Sequence, residues 1–226
     1  MRERLTPPTE DCLKAIYERS EGGKAGTQDL ALTLGISGAS VTGMLKRLAE
    51  LKLVEYQPYQ GVQLTEAGTQ VALEIIRHHR LLETYLHRAL GVPLDELHDE
   101  ADRLEHHISE ALEARLFAAL GEPTHDPHGD PIPTLAGEVP RVATRALSGV
   151  GVGEVVRVGR VAQDDPARLR HLVGAGLVPG AEVRVTFADL LAGVLRVMVA
   201  GHEVLLSVEV AQRVWVEDVD ATHAGA

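Results

Sequence analysis

The chain is 226 residues long and 45% apolar, with 3% aromatic residues, one cysteine and a formal net charge of −11. That length allows two or three compact modules and excludes a large multidomain enzyme. A lone Cys12 excludes an intrachain disulfide framework and fits a reduced, cytoplasmic setting, while the absence of a signal-peptide core or a long apolar run argues against export and membrane insertion.

In chain order, Pro7 and Pro8 followed by Thr9 read as the entry and cap of a first helix. Leu13, Ile16 and Tyr17 share one face of it, and Gly22 and Gly23 stop it. A short helix over about 27–34, opened by Thr27 and broken by Gly35, precedes a second over about 38–51; the LGIS connection makes the pair a helix-turn-helix candidate. VEYQPYQGVQLT then changes period and predicts a hairpin turning at Pro58–Gly61, which in that place is a wing. A longer helix follows from Glu66 to about Ala89, and another from 94 or 97 to Leu120, each stopped by Gly and Pro. GEPTHDPHGDPIPTLAGEVP reads as a linker. Beyond it, VVRVGRV, AEVRVTF, GVLRVMVAG, HEVLLSV and QRVWVEDV read as strands interrupted by a brief helix at 166–173, with a frayed THAGA end.

The expected architecture is therefore a mainly α N-terminal part followed by a β-rich tail. It divides into a winged helix-turn-helix over 1–65, a helical domain over 66–122, a linker over 123–145, and a small β-barrel over 146–219. Charge follows this division. Residues 1–80 carry 10 Lys and Arg against 10 Asp and Glu, whereas residues 81–226 carry 12 against 23. A neutral head suits DNA if its bases share one face, although its non-specific affinity should be modest.

In SGASVTGMLKRL, Val41, Leu45 and Leu48 fall on one face with Met44 beside them. Ser40, Thr42, Gly43, Lys46 and Arg47 occupy the other, and Ser37 and Ala39 stand at its start. Small polar residues near a helix N-terminus, followed by bases, suit major-groove insertion and phosphate contact.

The sharpest chemical signal is HDEADRLEHH over 98–107. On a helix, Asp102, Glu105 and His106 share a face, and the preceding helix adds His79 and Glu83 at the same spacing. By composition His78 serves as well as His79, and His107 as well as His106. Asp11 is a further candidate that would link such a site to the head. Carboxylates and imidazoles without thiolate favour Mn²⁺, Fe²⁺, Co²⁺ or Zn²⁺. Cys12, His87, His125 and His171 read as packed or ordinary polar residues.

TEDCLKAIY, SGASVTGMLKRL, YQGVQLTEAG, RHHRLLETYL, LHDEADRLEHHIS and HGDPIP together resemble the diphtheria-toxin repressor family of iron- and manganese-dependent regulators, over essentially the whole chain. The resemblance implies a homodimer that binds palindromic operator DNA when loaded with divalent metal and represses metal-uptake genes. It implies a primary site of Asp11, Asp102, Glu105 and His106, and an ancillary site of His79, Glu83 and His98 to which Asp165 of the tail could add. It also implies an SH3-like tail. Asp11 and Asp102 stand where iron-type members have Met and Cys, and hard oxygen ligands put Mn²⁺ first, Fe²⁺ as the alternative, with Zn²⁺ or Co²⁺ able to substitute in vitro. Lys14 stands where the manganese branch has a further Glu, which argues against a two-metal site of that branch's kind. Ala39 and Gly43 replace Pro and Gln of an iron-type member, so operator preference should differ. The rival classes are a metallohydrolase built on His98, Glu105 and His106, and a winged-helix protein-interaction module. Neither explains the head and the ligand set together, and no enzyme is expected.

Overall fold

A computed structural model describes residues 5–20, 23–140 and 145–219. Gly22, expected to stop the first helix, and the THAGA end lie outside the described residues. The chain divides into two compact units: 1–79 with 102–115 and 132–139, and 80–101 with 116–131 and 140–226.

The first unit opens with α1 (Pro7–Arg19), whose two prolines occupy the first turn, where the missing N–H groups have no intrahelical role. Thr6, rather than Thr9, holds the N-cap position. α2 (Thr27–Leu34) starts after Gly26 and ends at Gly35 in the left-handed region, φ 63°. α3 (Gly38–Glu50) is capped by Ser37, whose hydroxyl accepts from the Ser40 N–H. The hairpin β1 (Val54–Gln57) and β2 (Gly61–Leu64) pairs Val54 with Leu64 and Gln57 with Gly61. Ala25 exchanges backbone hydrogen bonds with Val62, which ties the loop ahead of α2 to the wing. Leu13 and Ile16 of α1, Leu30 of α2, and Val41, Leu45 and Leu48 of α3 close one core with Val62, Ala72 and Ile75. A Cβ at Gly68 would stand 1.9 Å from the Leu53 carbonyl oxygen, so glycine is what lets α4 (Glu66–Leu90) approach the wing so closely.

The helix expected over 94–120 is broken. A short 3₁₀ turn at Leu94–Glu96 leads into α5 (Leu97–Leu104), a turn follows over 105–107, and α6 (Glu110–Ala119) restarts the chain. The Ser109 hydroxyl accepts from the Leu112 N–H at the new N-terminus. Serine at that spacing competes for the backbone as a cap and favours a fresh start over a continuous helix.

In the second unit the tail forms a six-stranded antiparallel sheet. Its strands are β3 (Arg145–Ala146), β4 (Val155–Val161), β5 (Glu182–Asp189), β6 (Val194–Val199), β7 (His202–Ser207) and β8 (Val214–Asp218). Their order is β3-β8-β4-β5-β6-β7, with bulges between Val158 and Arg160 and between Val185 and Phe187. Alternation along the strands buries Val156, Val158, Val183, Val185, Leu195 and Val197 on one face. The sheet is not closed into the expected barrel. Closure would require β7 to pair with β3, but β3 is two residues long and turns into a 3₁₀ segment. After β7 the Ser207-capped α8 (Val208–Ala211) packs instead on that segment and on β6 and β7. Leu147 and Ala211 therefore cover the core there by side-chain burial, without a strand ladder.

α7 (Pro166–Gly174) packs against the 94–96 turn, with Arg170 3.2 Å from Asp95. The proline-rich segment up to residue 131 is also anchored in this unit. The Val161 N–H donates to the His128 carbonyl at 2.9 Å, and Gly129, at φ +89°, passes so near Gly159 that a Cβ would stand 1.9 Å from its carbonyl oxygen. No helix among the described residues is long and apolar enough to cross a membrane.

Candidate metal centre

Two clusters of ionisable side chains stand out, one in each unit. In the first unit, Asp11 comes from α1, Asp102 from α5, Glu105 and His106 from the turn after it, and His79 from α4. His106 Nε2 lies 2.9 Å from Asp11 Oδ1 and 3.6 Å from Glu105 Oε1. Glu105 Oε2 faces the other way, 2.6 Å from His79 Nδ1, which is also 3.1 Å from Asp102 Oδ1. Asp11, Glu105 and His106 form one set of atoms able to converge on an ion, and His79, Asp102 and Glu105 form another; Glu105 belongs to both. Glu105 is fully buried, whereas the Asp11 and Asp102 side chains are 43% and 46% exposed.

Glu10 completes the setting of His106, with its Oε2 2.6 Å from His106 Nδ1. An acidic partner on one ring nitrogen fixes the imidazole and turns the other nitrogen toward Asp11 and Glu105, an outer-shell arrangement typical of metal-ligating histidines. Burial alone would lower the His106 pKa, but hydrogen bonds to Asp11 and Glu10 push it up to about 9. Glu10 was missed in the sequence, although its place beside Asp11 on a helix is the signal that both could flank one ring.

The 105–107 turn is itself held. His78 Nδ1 donates to the Glu105 carbonyl at 3.3 Å, and its Nε2 lies 3.1 Å from Glu113 of α6. Arg77 donates Nε–H to Glu113 at 2.5 Å and Nη1–H to the Pro133 carbonyl at 2.7 Å. Burial would raise the Glu113 pKa, yet these hydrogen bonds hold its carboxyl below the usual range. Of the paired histidines, His79 and His106 thus face the carboxylates, and His78 braces the turn.

In the second unit, Glu83, Asp126 and His128 form a fully buried set. His128 Nδ1 lies 3.6 Å from Glu83 Oε2, and His98 Nδ1, 45% exposed, 3.8 Å from Glu83 Oε1. Among the described residues, Asp126 Oδ2 and His128 Nδ1 have no hydrogen-bond partner; Arg80 Nε is 3.8 Å from Asp126. Burial, reinforced by Glu83 and Asp130, pushes the Asp126 carboxyl up to about 8. Burial would lower His128, but the facing Glu83 carboxylate drives it to about 9. Asp126 and His128 were missed because HDPHGDP was read as linker. The signal was the acid and imidazole at alternate positions, which a solvated turn does not need.

Asp165 acts as the N-cap of α7, accepting from the Ala167 and Arg168 N–H groups at 2.9 and 3.1 Å. Cys12 is buried, and burial beside Asp11 pushes its thiol up to about 12, so sulfur contributes no thiolate. The remaining donors, carboxylate oxygens and imidazole nitrogens, fit first-row divalent ions.

On α3, Ser37, Ala39, Ser40, Gly43, Lys46 and Arg47 are exposed and Thr42 is half-buried, its hydroxyl donating to the Gly38 carbonyl. A Cβ at Gly43 would meet nothing within 4 Å, so packing does not demand glycine there.

Residues 4–62 match the family described as iron dependent repressor, N-terminal DNA binding domain; residues 65–134 match iron dependent repressor, metal binding and dimerisation domain; residues 145–218 match the FeoA domain. The chain is similar to the iron-dependent repressor IdeR of Mycobacterium leprae, 36% identical over 95% of this chain and 99% of the relative. It is similar to the diphtheria toxin repressor of Corynebacterium efficiens, 32% identical over 97% and 99%. A solved manganese-dependent transcriptional repressor in complex with manganese aligns with a TM-score of 0.85 and 38% identity, over 93% of this chain and all of that one.

Proposed function

This chain belongs to the iron-dependent repressor family of homodimeric, non-catalytic, divalent-metal-dependent DNA-binding transcriptional repressors, and from that premise we propose that Asp11, Asp102, Glu105 and His106 are its sensing ligands. The observation that carries this reading is that the candidate ligands of the first unit come from separate segments. Asp11 lies on α1, which is packed into the core of the DNA-binding head, and the others lie at and after the end of α5. A bound divalent ion supplies the positive charge that lets these carboxylates share one place. Leu13 and Ile16 on the buried side of α1 share a core with Leu45 and Leu48 of α3, so the position of α1 reaches the helix that would read DNA.

Ser37, Ala39, Ser40, Thr42, Gly43, Lys46 and Arg47 would face a palindromic operator, with the two copies of α3 one helical turn of DNA apart or a multiple of it. His79, Glu83 and His98 would serve an ancillary site, and Asp126 and His128 extend the ligand choice in the second unit. Asp165, already engaged as a helix cap, would be a further ligand only by giving up those bonds. Coupling is reciprocal, so operator DNA should tighten metal binding by the same factor by which metal tightens DNA binding.

Fe²⁺ is the first activator in this reading, which the full-length relatives named for iron dependence support, ahead of the manganese expected from the ligand types alone. Mn²⁺ is kept as the second reading because the clustered donors are oxygen and nitrogen without sulfur, and metal-uptake genes are the natural targets of either. Asp102→Ala tests the assignment. The half-exposed side chain leaves fold and dimer intact, and metal-dependent operator binding should be abolished. Metal-stimulated binding at native strength in that variant would overturn it.

A further inference from the structure

Glu105 and His106 project from a turn and not from a helix, since α5 ends at Leu104 and α6 starts again at Glu110. Within a helix the backbone ladder fixes the direction of each side chain, whereas a turn takes its direction from whatever grips it. The Glu105 carboxylate meets Lys14 Nζ at 3.0 and 3.2 Å and His79 Nδ1 at 2.6 Å. Its carbonyl is held separately, by His78 Nδ1 at 3.3 Å. The His78 ring is set in turn by Glu113 Oε2, 3.1 Å from Nε2, while Glu113 Oε1 accepts from Arg77 Nε at 2.5 Å. All three side chains are buried, His78 completely and Glu113 and Arg77 to 3% and 4% exposure. Glu113 stands in the first turn of α6, where a helix N-terminus favours a carboxylate.

We propose that Glu113 is a positioning residue for the sensing site: through His78 it holds the turn that presents two successive ligands, Glu105 and His106, and so sets how tightly the divalent ion is held. This rests on the reading of Glu105 and His106 as metal ligands. A site gains its full affinity only when its ligands are held to within about 0.5 Å of their places. A buried ion pair seldom stabilises a fold more than the apolar packing that could replace it, so stability alone does not account for charged groups at 77 and 113. Fixing a direction does. An imidazole bonded at both nitrogens has one orientation, and it passes that orientation to the carbonyl of residue 105. An apolar side chain at 113 would release the ring and leave every ligand in the chain. The ion would then bind more weakly, at the same site, and would still activate the head once supplied in excess.

The test is a calorimetric titration of the metal-free, full-length dimer with Mn²⁺. It compares the native chain with His106→Ala, Glu113→Leu, and Arg77→Met combined with Glu113→Gln. The Mn²⁺ site lost in His106→Ala identifies the sensing site. Glu113→Leu should weaken that site about 10–100-fold without removing it, and operator binding should return to native strength at saturating Mn²⁺. The double variant leaves no charge unpaired at 77 or 113, and its new amide oxygen can accept from His78, so it should recover most of the lost affinity. Native affinity in Glu113→Leu, whatever its stability, would overturn the proposal and leave the sensing ligands standing. Equal weakening in both variants would also overturn it, because the hold on His78 would then not be what sets affinity. If His106→Ala removes no Mn²⁺ site, the sensing assignment itself fails. Should Glu113→Leu not fold in chelator, His78→Leu keeps the Arg77–Glu113 pair, removes the bond to the Glu105 carbonyl and should show the same weakening; native affinity there overturns the proposal equally.

Discussion

The two acidic clusters solve the same electrostatic problem differently. In the first unit, Asp102 and Glu105 are met by Lys14, and His106 lies between Glu10 and Asp11 at hydrogen-bonding distance. In the second, Glu83 and Asp126 are fully buried, Arg80 Nε stands 3.8 Å from Asp126, and the Asp126 carboxyl is pushed up to about 8. A buried carboxylate that finds no close cation holds its proton instead. The first cluster is therefore preformed by the chain's own charges, whereas the second is left to protons or to an ion. A cation contributed from a distant helix thus decides whether a cluster of carboxylates is a finished structural element or an open one.

The largest effect should follow from Glu105→Ala. It leaves the Lys14 ammonium and the His79 ring buried without their shared partner, which costs about 3–5 kcal/mol, read from the denaturant midpoint in chelator. A loss under about 1 kcal/mol would mean that the first cluster is not held by this carboxylate. Next comes Asp126→Asn, which keeps the shape of the protonated side chain and removes a carboxyl that could ionise on an ion. If the second cluster takes an ion, the native chain gains about 2.7 kcal/mol at a metal concentration a hundred times the dissociation constant. The variant should lose that gain without losing metal-free stability; an unchanged gain would take Asp126 out of the ligand set.

A smaller effect is expected of pH on the metal-free chain. His106 stands at about 9 against an ordinary 6.5, so its stabilising contribution is complete below 6.5 and lost as pH rises through 9. His128 at about 9 and Asp126 at about 8, the latter from 3.8, carry the same sign. The thermal midpoint in chelator should therefore fall between pH 6.5 and 9, and His106→Gln should remove part of that slope; a midpoint that rises over this range would contradict the charge assignments. The smallest change is Asp165→Ala, which removes a helix cap for about 1 kcal/mol. Unaltered metal affinity would leave Asp165 a cap alone, and a marked fall would add it to the ligands.

Much of this was legible in the sequence because periodicity reports burial directly. Val41, Leu45 and Leu48 are all fully buried, and alternation marked β4 to β8 almost residue by residue. What escaped depends on partners far apart in the chain. Lys14 meets residues 65, 88 and 91 positions away, and no local pattern shows that. The break after Leu104 was hidden because helix-favouring residues continue on both sides of it, and only Ser109 marks the restart. HDPHGDP was read only as part of a linker, since proline and glycine report backbone shape and not burial; the close pass of Gly129 on Gly159 accompanies the burial of Asp126 and His128. The open sheet escaped for a related reason, because strand patterns do not specify whether the first and last strands meet.

The most direct test of the central claim is a titration of the native dimer on a palindromic operator upstream of a metal-uptake gene, at one fixed salt concentration. It is run in chelator and then with anaerobic Fe²⁺, Mn²⁺ and Zn²⁺. Binding that is absent in chelator, appears with Fe²⁺ or Mn²⁺ and disappears when chelator is restored is the predicted result. Equal binding with and without metal would contradict it.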